Sequence, residues 1–73
     1  MEWYAIRSKR SHKFISGTDF RTRPARQIIA DDFHAPRLFT KQELNIELKR
    51  REVSMHIYEV VKVNVVAEDD ISS

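Results

Sequence analysis

The eleven residues His56-Ile57-Tyr58-Glu59-Val60-Val61-Lys62-Val63-Asn64-Val65-Val66 constrain this chain more than any other segment. Valine, isoleucine and tyrosine dominate them, and such side chains suit a pleated sheet better than a helix. A strand must find partners for its backbone amides and carbonyls. The segment of closest character is Trp3-Tyr4-Ala5-Ile6-Arg7-Ser8, at the other end of the sequence. Pairing the two predicts a sheet in which the first and last strands are neighbours. Strand alternation places Tyr4 and Ile6 on one face of the first strand and Trp3, Ala5 and Arg7 on the other. In the last strand, Ile57, Val61, Val63 and Val65 share a face with Glu59, and this face is the expected core side. Tyr58, Val60, Lys62, Asn64 and Val66 share the other.

Between these ends lie weaker signals. Residues 8–13 are polar and read as a hairpin connection. Phe14-Ile15-Ser16 resumes the apolar pattern as a second strand. Gly17, the single glycine, precedes Thr18-Asp19 in a turn context where positive φ is expected. Phe20-Arg21-Thr22-Arg23-Pro24-Ala25-Arg26 is a loop or an edge, because proline cannot donate to a central ladder. Gln27-Ile28-Ile29-Ala30 is a short third strand, ended by Asp31-Asp32.

A helix follows, predicted over 41 to about 52. Thr40 and Glu43 have the spacing of a capping box, with Phe39 and Leu44 at the two positions of a hydrophobic staple. Lys49, Arg50 and Arg51 fall in the last turn, as the helix macrodipole prefers. Glu47 and Arg51 are an i,i+4 pair in the favourable order. The inward stripe is Leu44 and Leu48 alone, and Ile46 points away from it. The elements together predict an α+β fold: a small antiparallel sheet of three to four strands with one helix packed on one face, in the order β-β-β-α-β. Residues 1–67 form a single domain in this reading, and 68–73 an acidic tail.

Size and composition exclude much chemistry. A chain of 73 residues builds one thin core. Without cysteine there is no disulfide, no thiolate zinc site and no cysteine nucleophile. No apolar run reaches 18 residues, so no membrane span is expected. The histidines, His12, His34 and His56, lack the i,i+4 spacing of a helical metal site. Asp31 and Asp32 have no assignable third ligand and suit a turn. Ser11-His12 lacks an orienting carboxylate, and one glycine cannot build a phosphate loop. The expectation is a cytoplasmic, non-enzymatic protein with no cofactor, no metal and no small-molecule substrate.

Charge is unevenly distributed. Residues 1–26 carry seven basic and two acidic side chains, a balance of +5, whereas residues 27–73 carry six and nine, a balance of −3. Such asymmetry can steer an anionic partner. If hairpin folding brings the basic segments together, Arg7, Lys9, Arg10, Lys13, Arg21, Arg23 and Arg26 are candidate nucleic-acid contacts, with Phe14 or Phe20 available for stacking. If Trp3, Tyr58 and Val60 lie on an uncovered sheet face, they form a candidate protein interface, with Ile46 on the helix exterior as a rival. A protein partner or homo-oligomer is the first expectation, and nucleic acid the second.

Four segments also carry a resemblance: Trp3-Tyr4-Ala5-Ile6-Arg7, Lys13-Phe14-Ile15-Ser16-Gly17, Leu38-Phe39-Thr40-Lys41 and Ile57-Tyr58-Glu59-Val60-Val61. Together they resemble small accessory proteins of tailed bacteriophages and prophages of Gram-positive bacteria. The resemblance implies a compact α+β fold and a place in the host cytoplasm. It implies no activity and no functional residue, and the basic insertion at Arg21 to Arg26 departs from its pattern.

Overall fold

A computed structural model describes residues 2–64. Four strands and one helix follow one another as β1 (Trp3–Ser8), β2 (Ile15–Asp19), β3 (Arg26–Ile29), α1 (Lys41–Arg50) and β4 (Tyr58–Val63). The segment 68–73 and the valines at 65 and 66 lie outside the described residues.

The helix begins where its caps dictate. Thr40 is extended at φ −78°, ψ 164°, and its Oγ1 accepts from the Glu43 amide while the Glu43 carboxylate accepts from the Thr40 amide. Two otherwise orphaned amides are thereby satisfied. At the other end the Glu52 amide donates to the Lys49 carbonyl and the Val53 amide to the Leu48 carbonyl. This is a Schellman closure, and it needs a left-handed residue after the cap. Glu52 takes that place at φ 54°, where glycine is usual. The helix therefore stops at Arg50 rather than near residue 52. Val53 is turned back beside Leu48, and both pack with Leu44 and Tyr58 against a core of Ile6, Ile15 and Phe39.

The sheet departs from the expected single layer. β1 pairs antiparallel with β4, and β2 with β3, as two separate two-stranded sheets. They meet at one bridge, Arg7 with Phe14. The reason is the segment Arg37–Phe39. Phe39 exchanges both backbone hydrogen bonds with Tyr4, at 2.8 and 2.9 Å, and the Arg37 amide donates to the Ile15 carbonyl at 3.0 Å. This segment occupies the edge of β1 that β2 would need to extend the ladder.

The faces of β4 are also reversed from expectation. The register pairs Ile6 with Val60, Ser8 with Tyr58 and Trp3 with Val63. Directly opposed residues share a face. Tyr58 and Val60 therefore lie on the side of Ile6, and Tyr58 packs against the core there. Val61 and Val63 lie with Trp3 and Ala5 on the opposite side, and Ile57 sits in a turn, 56% exposed. Alternation separates two faces but does not choose between them when valines stand on both.

Gly17 lies within β2, at a β-bulge between Ile15 and Gly17, not in a turn. Its φ is not positive, and a Cβ there would meet nothing within 4 Å. The left-handed loop residue is instead His12, at φ 60°.

The β2–β3 hairpin docks onto the helix end through polar groups. Gln27, buried in β3, donates to the Arg51 carbonyl at 2.7 Å, and its Oε1 accepts from Thr18 at 2.7 Å. The buried Arg51 guanidinium reaches Thr18 Oγ1 and the Glu47 carboxylate and lies 5.3 Å from the Phe39 ring centre.

Two stability measurements follow. Phe39→Ala lowers the urea-unfolding free energy by about 3–5 kcal/mol, because a fully buried aromatic leaves a cavity, whereas Phe33→Ala, at a residue 90% exposed, changes it by less than about 0.5 kcal/mol. Gly17→Ala raises it by roughly 0.5–1 kcal/mol, since the native backbone accepts alanine and the unfolded chain loses freedom. A loss at that position would show that the bulge requires glycine.

Candidate functional site

The seven basic candidates do not converge. Lys9, Arg10 and Lys13 occupy the turn that joins β1 to β2. Arg21 and Arg23 occupy the loop that joins β2 to β3, and Arg26 opens β3. The two groups stand at opposite ends of β2, about 17 Å apart at the usual strand rise. Arg7 is held elsewhere: its Nε donates to Glu59 Oε2 at 2.7 Å across β1 and β4. The condition that hairpin folding gather these residues is therefore not met. A hairpin brings strand edges together, but it sends successive loops to opposite ends.

One of the two groups is larger than the sequence indicates. The β2–β3 loop lies against the C-terminal end of α1, where Lys49 and Arg50 stand. The Arg50 guanidinium sits 5.1 Å from the centre of the half-exposed Phe20 ring, and the Ala25 amide approaches Glu52 at 3.4 Å. Arg21, Arg23, Arg26, Lys49 and Arg50 thus share one end of the molecule with an accessible aromatic. No local spacing signals this neighbourhood, because residues 20 and 50 are brought together by the tertiary contacts of Gln27 and Thr18 with Arg51 and of Ala25 with Glu52.

Some of that charge is already committed. Arg21 forms a fork on Asp19, with Nε and Nη2 each 3.0 Å from a carboxylate oxygen, and its amide also donates to Oδ1. These bonds from Arg21, side chain first, lower the Asp19 pKa from 3.8 to about 2. Arg50 is 3.1 Å from Glu47. Arg23 and Arg26 form no ion pair among the described residues.

The four candidates for a protein interface are likewise dispersed. Tyr58 packs against the core, and Val60 shares its face. Trp3 is half-buried on the opposite side, beside Ala5, Val61 and Val63. That side carries a small apolar hollow of about 80 Å³ lined by Ala5, Phe14, Pro36, Leu38 and Val63. Ile46 stands apart on the helix exterior, 68% exposed. Sequence reasoning passed over Met55 and put Ile57 on the core side, but both are exposed, in the turn before β4. Ile57 borders a cleft of about 410 Å³ whose other walls include Pro24, Ala25 and Glu52.

The Asp31–His34 segment has a structural role. Asp31 Oδ1 accepts from the Phe33 and His34 amides, each at 2.8 Å, and lies 2.9 Å from His34 Nδ1. The imidazole first and the amides next lower the Asp31 pKa. Among the described residues no three histidine, aspartate or glutamate side chains are placed to hold a metal ion, and no helix is long and apolar enough to cross a membrane. No protein family, curated protein or solved structure matches this chain.

The Asp19–Arg21 fork has a pH signature. Its stabilising effect is complete above the ordinary aspartate range and is lost as pH falls through about 2, because the folded carboxylate holds its charge further into acid than the unfolded one. Carboxyl-carbon NMR is expected to show Asp19 titrating near 2 in the wild type and in the ordinary range in Arg21→Ala. An ordinary wild-type midpoint would mean that the fork does not persist in solution.

Proposed function

We propose that this chain is a non-enzymatic interaction protein of the accessory kind that tailed phages and prophages encode, acting by contact with protein. One observation carries the reading. The fully buried large side chains are Phe39, Ile6 and Ile15, while Phe20, Ile28, Ile29, Phe33, Ile46, Met55 and Ile57 remain exposed. Single exposed apolar residues are ordinary in small proteins. Here the exposed set outnumbers the fully buried one, and Met55 and Ile57 crowd one short turn beside a cleft. Apolar surface of this kind is what a protein contact covers.

A second reading is supported by the basic end of the molecule. Arg23, Arg26 and Lys49, together with the Arg50–Phe20 stack, offer phosphate contacts beside an aromatic platform, as single-stranded nucleic acid requires. Against it stand the Asp19 and Glu47 carboxylates, which already hold Arg21 and Arg50.

Formaldehyde crosslinking in producing cells separates the two. Protein adducts, multimers of the chain included, are expected from the wild type. Adducts with other proteins are expected to be lost from the Ile46→Ser/Ile57→Ser double variant, whose stability changes by no more than about 1 kcal/mol because both sites are exposed. An absence of protein adducts would overturn the reading. Anisotropy of labelled single-stranded DNA or RNA then provides the alternative: binding that falls steeply with salt, and falls further in Arg23→Ala/Arg26→Ala, would put nucleic acid first.

A further inference from the structure

The hydrogen-bond directions along β4 define a free edge with a definite register. Lys9 donates to the Ile57 carbonyl, so the backbone groups of the odd-numbered residues of β4 face β1. Those of the even-numbered residues face away, as antiparallel alternation requires. Tyr58 confirms the direction, because its amide turns from β1 to donate to the Ser54 carbonyl at 2.9 Å. β4 pairs with β1 alone, so both backbone groups of Val60 and Lys62 have no partner among the described residues.

Natural edges are protected by proline, bulges or inward charges. β4 contains no proline, and its register with β1 runs from Tyr58 to Val63 without a break. Its two charges are neutralised by β1 and the residue before it. Glu59 is bound to Arg7, and Lys62 lies 2.9 Å from Glu2. Neither charge is left free to repel an incoming strand. A two-stranded sheet is also marginal by itself, and further strands stabilise it.

We propose that β4 pairs antiparallel with β4 of a second copy about a two-fold axis at Val61, giving a sheet in the order β1-β4-β4-β1. This names the partner within the protein-contact reading and rests on it. The register follows from the donors. Pairing centred on Val60 would set the Tyr58 amide opposite Lys62, but that amide is committed to Ser54, and the Lys62 carbonyl would stay unmet. Pairing centred on Val61 sets Val60 opposite Lys62 of the other copy, so each amide and carbonyl of these two residues gains a partner. The Asn64 amide then reaches the remaining Tyr58 carbonyl. Val61 meets its own symmetry mate on the face shared with Trp3 and Ala5, and a symmetric, self-complementary contact of this kind closes as a dimer.

The chain has no cysteine, so a single introduced thiol reports the pairing. Val61 and its mate form a non-hydrogen-bonded pair, with Cα atoms about 4.5 Å apart, within disulfide reach. Two Val63 residues in the same pairing lie about 13 Å apart and cannot be joined. The expected results are a wild type of twice the chain mass by sedimentation equilibrium, and a Val61→Cys variant that oxidises to a covalent dimer while Val63→Cys does not. Val60 and Lys62 amides are expected to be protected from hydrogen exchange in the dimer and to lose that protection on dilution. A dimer in which Val61→Cys fails to crosslink, or in which Val60→Cys crosslinks instead, overturns this pairing and leaves the protein-contact reading intact. A folded chain of single mass at every concentration, with both amides in fast exchange, also overturns it, and the protein-contact reading then stands or falls on the Ile46 and Ile57 adducts.

Discussion

The backbone exchange between Tyr4 and Phe39 is the contact on which the other elements depend. It joins residues 35 positions apart at 2.8 and 2.9 Å and fixes the phenyl ring of Phe39 in the centre of the core. Phe39 is also the residue before the helix N-cap. Wherever Tyr4 anchors it, the capping box of Thr40 and Glu43 must start the helix two residues later, at Lys41. Leu44 and Leu48 are then brought down onto Ile6 and Ile15. The same segment denies β2 a full ladder with β1, so the split of the sheet and the placement of the helix have one cause.

The hairpin is attached by different means. Its outer strand offers little apolar surface to the helix, since Ile28 and Ile29 are exposed. The Gln27 amide instead satisfies the carbonyl at the helix C-cap, and Arg51 spans Glu47, Thr18 and the Phe39 ring. A buried guanidinium is costly unless its donors are met and its charge is opposed. Glu47 opposes the charge, Thr18 meets a donor, and the aromatic face lies alongside. Polar attachment of this kind favours one docking geometry, because a shifted hairpin would strand buried donors and acceptors.

The balance of the molecule is consistent with action through contact. A few residues fill the core, and β4, the most apolar strand, lies at an edge with most of its side chains only half-buried. Among the described residues the acidic side chains are largely engaged in caps, turns and ion pairs, which leaves the free charge there mainly basic. The interior thus holds the fold together while, among the described residues, the edge, the turn before β4 and the helix exterior remain open.

The helix was legible in the sequence because its signals are local: Thr40, Glu43, Phe39 and Leu44 act within one turn of each other. The pairing of the first and last strands was legible because no other segments were comparably apolar. The helix end was less so, since Glu52 takes the left-handed position where a glycine would have marked it. Gly17 misled for the complementary reason, being a glycine whose backbone does not need glycine. The spread of the basic residues and the regrouping of Arg50 with Phe20 were not legible, because they depend on which loop falls at which end. The sequence by itself determined the kinds of element, the helix N-cap and the partner of β4, all set by short-range chemistry or by exclusion. Only the tertiary structure decided which face of β4 turns inward, where the sheet divides and which backbone edge is left free. Those outcomes follow from register and from the insertion of Arg37–Phe39 beside β1, and hydrogen bonds between distant segments leave no periodic trace in the side chains.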